Sequence, residues 1–146
     1  VLIAGVRIAE LVPHQGAMCL LDAVVEWDRE RIVCHSDRHR AIDNPLRVRG
    51  RLSSLHAIEF AAQAMAAHQR LAGDSVASAR YGLLVSVRQC TVAVEHMETC
   101  ASPLVIEATR IASTAQALTY AFRVGTIDTT IAKGRASVLL VGEDAA

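Results

Sequence analysis

The run from residue 51 to residue 68, Arg-Leu-Ser-Ser-Leu-His-Ala-Ile-Glu-Phe-Ala-Ala-Gln-Ala-Met-Ala-Ala-His, constrains the fold more than any other part of this chain. It predicts a helix over residues 55–71, capped by Ser53 or Ser54 and ended by Gly73-Asp74. Its Ala, Met, Ile and Phe residues lie on nearly every face, so such a helix has to be covered on nearly every side. Ionisable groups on a helix of this kind need a partner, a ligand or a chemical role. That singles out His56 and Glu59, one turn apart at its start.

What surrounds the helix reads as strand. A short helical turn over residues 7–11 leads through Val12-Pro13-His14-Gln15-Gly16 to a strand at 18–28. Arg29-Glu30 turns the chain tightly into a second strand at 31–36, giving a hairpin. Residues 37–51 form a long polar loop of the kind that often carries function. Beyond the helix, 79–94 is strand-like with an irregularity near Arg88-Gln89. Strands at 103–112, 117–124 and 129–141 follow, separated by turn signals at Ser113-Thr114 and Gly125-Thr126. A single curled antiparallel sheet wrapped around one helix satisfies this order, an α+β layer solution. Its free edge invites pairing with a second copy, so a dimer is expected.

The chain has 146 residues and reads as one domain, 1–146, able to build a core without staples. Lys+Arg and Asp+Glu are both 15, which gives no global pull toward nucleic acid or a membrane surface, and the 3% aromatics are too few for stacking platforms. No apolar run approaches the roughly 20 residues of a membrane span. The start lacks a basic region followed by a long apolar stretch, so no signal peptide is expected. Cys19, Cys34, Cys90 and Cys100 share no metal-ligand spacing and read as reduced core residues of a cytoplasmic protein. No histidine pair or cluster argues for a metal, and no cofactor is expected.

Two motifs carry a family resemblance. Leu11-Val12-Pro13-His14-Gln15-Gly16-Ala17-Met18-Cys19-Leu20-Leu21-Asp22-Ala23-Val24 resembles the Pro-His…Leu-Leu-x-Asp-x-Val opening of FabZ/FabA-type 3-hydroxyacyl-acyl carrier protein dehydratases. Ile58-Glu59-Phe60-Ala61-Ala62-Gln63-Ala64 is similar to the Glu-Ala-x-Ala-Gln run on the central helix of that family. Asn44-Pro45-Leu46, the arginine loop and the Leu-His-Ala-Ile-Glu helix start look closest to the ApeP-type branch, the dehydratase-like proteins of aryl polyene clusters. The resemblance implies the hotdog fold, a long central helix wrapped by a curled antiparallel sheet. It also implies dehydration of a 3-hydroxyacyl thioester carried on the phosphopantetheine arm of an acyl carrier protein, in fatty acid or aryl polyene/polyketide-type biosynthesis. In that chemistry one group removes a proton from C2 and another protonates the departing C3 hydroxyl, with backbone N–H groups at the helix start stabilising the enolate-like oxygen.

Glu59 falls on the family's carboxylate position. The family histidine, fourteen residues earlier, falls on Pro45 beside Asn44, and the glycine of the family's Pro-Gly pair falls on Ser54. A shift within residues 47–51 would bring His39 into play instead. His56, Glu59 and Gln63 stand at i, i+3 and i+7 and share one helix face. His56 can replace the missing histidine as base, with Glu59 orienting it or polarising a water. Alternatively, His56 and Glu59 form a satisfied polar pair supporting the dimer. Ser54 and Gln63 are the candidate substrate-binding residues.

The other histidines read as structural or solvated. The resemblance implies that His14 orders the N-terminal loop, as its family counterpart does; His68 near the helix C-terminus complements the dipole when protonated, and His35, His39 and His96 lie in polar, solvated segments. Arg38, Arg40, Arg47, Arg49 and Arg51 read as a solvated face or as a dock for the carrier protein and its phosphate. Three functions follow: a dehydratase using Glu59 and His56; a catalytically degenerate subunit that binds or stabilises an active partner, as homodimer or heterodimer with another hotdog chain; or a hotdog acyl thioesterase.

Overall fold

The computed structural model describes residues 16–72 and 80–142. A 3-10 turn at Gly16–Met18 precedes β1 (Ala23–Trp27) and β2 (Arg31–Ser36). A second 3-10 turn, Ser54–His56, runs into the helix α1 (Ala57–Ala72). Strands β3 (Arg80–Val92), β4 (Leu104–Ser113), β5 (Ala117–Gly125) and β6 (Thr130–Gly142) follow. All strand pairs are antiparallel, in the order β1-β2-β4-β5-β6-β3, and the sheet is not closed. One helix laid across one curled sheet is the α+β hotdog arrangement anticipated above.

Alternation explains the sheet's inner face. Leu104, Ile106 and Ala108 on β4, and Leu118, Tyr120, Phe122 and Val124 on β5, are buried at every second position. Against them α1 sets Ala57, Phe60, Ala61, Ala64, Met65 and Ala67. The small alanines let the helix approach the sheet closely, while Phe60 and Met65 fill the space between. The β1–β2 turn is closed by Asp28, whose Oδ1 accepts from the backbone N–H groups of Glu30 and Arg31, each at 2.8 Å. Those two hydrogen bonds hold its carboxyl below the usual range.

The strand expected over 18–28 is shorter, because Leu20 is tied down on both sides. Its N–H donates to Gln63 Oε1 and its carbonyl accepts from Ser36 Oγ. The irregularity expected near Arg88-Gln89 is a bulge: Gln89 has φ 52, and the β3–β6 register shifts between Arg88 and Thr91. The bulge packs on Gly134, where a Cβ would stand 3.1 Å from Cys90 Cα and from Phe122 Cζ. The helical turn at 7–11, the Pro13-His14 pair and the Gly73-Asp74 stop lie outside the described residues.

The helix is not covered all round by its own chain. Leu55, Glu59 and Arg70 are exposed, and Ile58, Ala62, Ala66 and Gln69 are only half-buried, so one stripe stays open along its length. Strand β3, a free edge of the sheet, exposes Leu83, Leu84, Val85 and Val92, with Leu139 on the adjoining β6. Among the described residues no helix is long and apolar enough to cross a membrane.

Candidate active site

The start of the helix is bolted to the segment between β3 and β4. Ser53 caps it, its Oγ accepting from the Leu55 N–H. Ser54 N–H donates to Glu95 O at 3.0 Å, Met97 N–H to Leu52 O at 2.9 Å, and Ser53 bridges His96. Glu98 Oε1 then accepts from Leu52 N–H at 3.1 Å and Arg51 Nε at 2.8 Å. Desolvation works to raise the Glu98 pKa, but the hydrogen bonds from Arg51 and Leu52 outweigh it and hold the carboxyl below its usual range.

This bolting has a chemical consequence. The backbone N–H groups of Ser54, Leu55, His56 and Ala57 donate to Glu95 O, Ser53 Oγ, Ser53 O and Ser54 O respectively. The donors expected to meet an enolate oxygen at the helix start are all engaged within the chain. The Ser54 hydroxyl, by contrast, is fully buried with no partner.

Sequence reasoning placed His56, Glu59 and Gln63 on one helix face, yet their surroundings differ. Glu59 is exposed and His56 half-buried, and among the described residues neither side chain makes a hydrogen bond or ion pair. Gln63 is 1% exposed and fully engaged: Oε1 accepts from Leu20 N–H at 2.8 Å, and Nε2 donates to Met18 O at 2.6 Å. It clasps the chain before β1 onto the helix, one turn beyond Glu59.

The loop over residues 37–51 is folded rather than solvated, which corrects the expectation for His39. That ring is fully buried, its Nε2–H donating to Cys100 O at 3.0 Å. Burial pushes its pKa below the usual value, against the pull of the carbonyl contact, so the ring is neutral. Asn44 is buried and structural, bonding Arg38 O and Leu46 N–H, while Pro45 beside it is exposed. Arg38 pairs with Asp43 at 3.3 Å, and Arg47 donates to Gly50 O and His39 O. His35 and His96 are half-buried.

His68 also departs from expectation. Its Nε2–H donates to Asp28 O at 2.8 Å, and its Nδ1 accepts from Tyr120 OH at 2.7 Å. The Tyr120 oxygen in turn accepts from Arg110 Nη2 at 3.3 Å. Burial lowers the His68 pKa, so it is a neutral core histidine of fixed tautomer rather than a cation complementing the dipole. An open cleft of about 290 Å³ lined by Glu26, Trp27, Asp28 and Arg31 lies at this far end of α1, away from Glu59. The cysteines are free thiols, and burial pushes Cys34 up to about 12. Among the described residues, no group of three or more His, Cys, Asp or Glu side chains could hold a metal ion.

Sequence reasoning missed Glu98 and the His68–Tyr120–Arg110 chain. Both join residues far apart in sequence through single polar contacts, which leave no periodic signal.

Comparison with known proteins adds a family and a set of folds. A family model described as ApeP-like, ApeP dehydratase, matches residues 6–145. No curated protein matches the sequence. Among solved structures, the dehydratase heterocomplex ApeI:P from Xenorhabdus doucetiae is similar at 21% identity and a TM-score of 0.79, covering 96% of this chain and 94% of that one. A mutant thioesterase from Pseudomonas aeruginosa is similar at 14% identity and a TM-score of 0.60, covering 82% and 81%. A hypothetical thioesterase with coenzyme A from Streptococcus pneumoniae follows at 8% and 0.59, covering 82% and 84%. At these identities the structural likeness carries the fold alone.

Proposed function

Since this chain belongs to the ApeP-like dehydratase family, we propose that it is a subunit of a 3-hydroxyacyl-acyl carrier protein dehydratase with Glu59 as its catalytic carboxylate. The reaction removes water across C2–C3 of the acyl thioester, leaving a trans-2-enoyl thioester. One observation carries the reading. Glu59 matches the family's carboxylate position and stands exposed in the first turn of α1, without a hydrogen bond or ion pair among the described residues. Its exposure leaves the carboxylate open to a ligand or a partner chain, and the family position is what singles it out from other surface glutamates.

His56, half-buried one turn earlier, takes the second proton-transfer role. The buried, unpartnered Ser54 hydroxyl is the substrate-side donor for the thioester oxygen. Gln63 serves the site through residues 18–20, which it fixes against the helix. The substrate is the phosphopantetheine-linked acyl chain of an acyl carrier protein, in fatty acid or aryl polyene/polyketide-type biosynthesis. No metal or cofactor enters this chemistry. The free thiols accord with a cytoplasmic setting.

A second hotdog chain, identical or different, pairs along β3. The exposed apolar residues of that free edge and the open stripe of α1 support this. So does the similar structure of a heterocomplex of dehydratase subunits.

The test is hydration of a trans-2-enoyl thioester by the purified chain, alone and with candidate hotdog partners. We expect turnover, and Glu59→Gln lowering it about 10²–10⁴-fold with assembly and melting temperature intact. Unchanged turnover in that variant rejects the role of Glu59. Release of free thiol without hydration points to a thioesterase instead.

A second reading has its own observation. The family's histidine position is an exposed proline beside a structural Asn44, and His39 is locked onto Cys100 O. On that reading the chain stabilises an active partner and performs no chemistry itself. Turnover by the isolated chain would eliminate it.

A further inference from the structure

The outer face of the sheet, turned away from α1, carries a charge pattern that the chemistry at Glu59 leaves unused. Along β6, Ala132 and Ala136 are buried on the inner face, and Lys133 and Arg135 stand exposed between them. Their neighbours on the adjoining strands repeat the sign. Lys133 lies opposite Arg123 of β5, and Arg135 lies opposite Arg88 of β3. Like charges set directly across a sheet repel and weaken the pairing. A chain with as many carboxylates as cations need not gather four cations at adjoining positions.

These charges are not cancelled within the chain. Arg88, Lys133 and Arg135 are exposed and make no hydrogen bond or ion pair among the described residues. Arg123 donates to neutral acceptors, from Nε to Thr130 Oγ1 at 2.8 Å and from Nη2 to the Thr126 carbonyl at 3.3 Å. The carboxylate that register sets across from Arg123 is Glu107, and it is paired with Arg31 at 3.1 Å. Asp128, exposed in the turn after β5, forms no ion pair with any of the four. The bulge in β3 completes the group. Residues three apart on an unbroken strand face opposite ways. The extra residue, with Gln89 at φ 52, sets Arg88 and Thr91 on one face, opposite Arg135 and Lys133. That left-handed conformation is costly for a glutamine, and it keeps Arg88 in the cluster.

We propose that Arg88, Lys133 and Arg135, flanked by Arg123, form a binding site on the outer face of the sheet for a small polyanion of the diphosphate type. Facing strands stand about 5 Å apart, and successive outward residues on one strand are about 7 Å apart. Long cationic side chains rooted at the corners of so small a rectangle can reach one common ligand above it. Two linked phosphoryl groups match that size, and guanidinium forks bind phosphoryl oxygens two at a time. Binding also removes the repulsion between the facing cations. A nucleic acid strand or a lipid surface calls for cations spread along a track or a plane, whereas these four form one compact group. The site is independent of the chemistry at Glu59, which lies with α1 on the other side of the sheet.

The experiment is titration calorimetry of the folded protein at low salt, with inorganic pyrophosphate in one arm and adenosine diphosphate in the other. Affinity for pyrophosphate alone assigns the site to free diphosphate, and affinity for both extends it to a diphosphate ester. Lys133→Gln and Arg135→Gln should each weaken binding about fivefold or more, with the difference closing as salt rises. Both variants should melt at or above the wild-type temperature, because each removes a like-charge pair. Pyrophosphate at about a hundredfold excess over its Kd should raise the wild-type melting temperature by about 5–10 °C, and sodium chloride at the same ionic strength by clearly less. Equal stabilisation by chloride, or binding unchanged in both variants, overturns the site. A lowered melting temperature in both variants overturns the argument from repulsion. Anionic vesicles or DNA held through these cations, with no affinity for either diphosphate, overturn the ligand class.

Discussion

Replacing Gln63 should expose how much of the site depends on one clasp. The side chain is 1% exposed, and its two hydrogen bonds tie Leu20, itself fully buried, and Met18 to the helix. Truncation in Gln63→Ala strands the Leu20 N–H in the core, which costs about 1–3 kcal/mol. The Met18 carbonyl is half-buried and recovers part of its loss from water, and the vacated volume adds a smaller cavity cost. A total of about 2–4 kcal/mol follows, or a melting temperature lower by roughly 6–12 °C for a domain of this size. Gln63→Glu is the sharper variant. A carboxylate accepts from Leu20 N–H as the amide does, but opposes the Met18 carbonyl, so burial and that carbonyl raise its folded pKa. A raised folded pKa gives stability that is present below the unfolded value and lost as pH rises through the folded one. The Glu variant should therefore approach wild type near pH 4 and fall behind it near pH 8, where the glutamate is ionised. Urea titrations at one fixed protein concentration, with hydrogen exchange at Leu20, read both effects. An Ala variant within about 0.5 kcal/mol of wild type, or a Glu variant with the same deficit at both pH values, would refute the clasp.

Acid should weaken the fold through His39 and His68, whose pKa values burial holds below 6.5. Above that value both rings are neutral in either state. Below it the unfolded chain binds protons the folded one refuses, so stability falls as pH drops, by up to about 1.4 kcal/mol per pH unit for each ring. His68→Gln should roughly halve that slope in urea titrations between about pH 6.5 and 5.5, and an unaltered slope would remove His68 from the account. Glu98→Gln keeps an acceptor for Arg51 and Leu52 but loses the charge and sets an amide N–H₂ where the buried Oε2 has no partner. A loss of about 1–3 kcal/mol is expected in thermal unfolding, and a neutral result would show that the bolt at the helix start is dispensable.

The fold was legible because its signals are local and periodic. Period-two burial on β4 and β5 marks those strands, and Asp28 with Glu30 marks the first turn. Ser53 marks the helix start, although the chain enters α1 through a 3-10 turn. Glu59 was singled out by its family position and its charge on an apolar helix, and the structure leaves it exposed. His39 was not, because a polar, proline-containing loop gives no sign that it will fold over Cys100. His68 was read from the dipole of its own helix, whereas Tyr120 and Arg110, from β5 and β4, determine its state. Contacts of that range depend on which strands become neighbours, and single-residue chemistry does not announce it.

The self-capped helix start changes what the site must be on the dehydratase reading. Stabilising an enolate-like oxygen requires donors that are free and pre-aimed. Here the N–H groups of residues 54–57 already have acceptors, and drawing Ser54 N–H away from Glu95 O would undo one strut holding the helix to the segment after β3. Moving that strut is expensive, since the Leu52–Met97 bond and the Glu98 bridge lie on the same seam. The donors must therefore be side chains, of which the Ser54 hydroxyl is buried and unpartnered at the right end of the helix, or must come from a neighbouring chain. The open stripe of α1 and the apolar edge of β3 leave room for such a neighbour on the side where Glu59 is exposed. On that reading, a site with its carboxylate free and its backbone donors engaged would be half of a catalytic centre, with the other half supplied from across an interface.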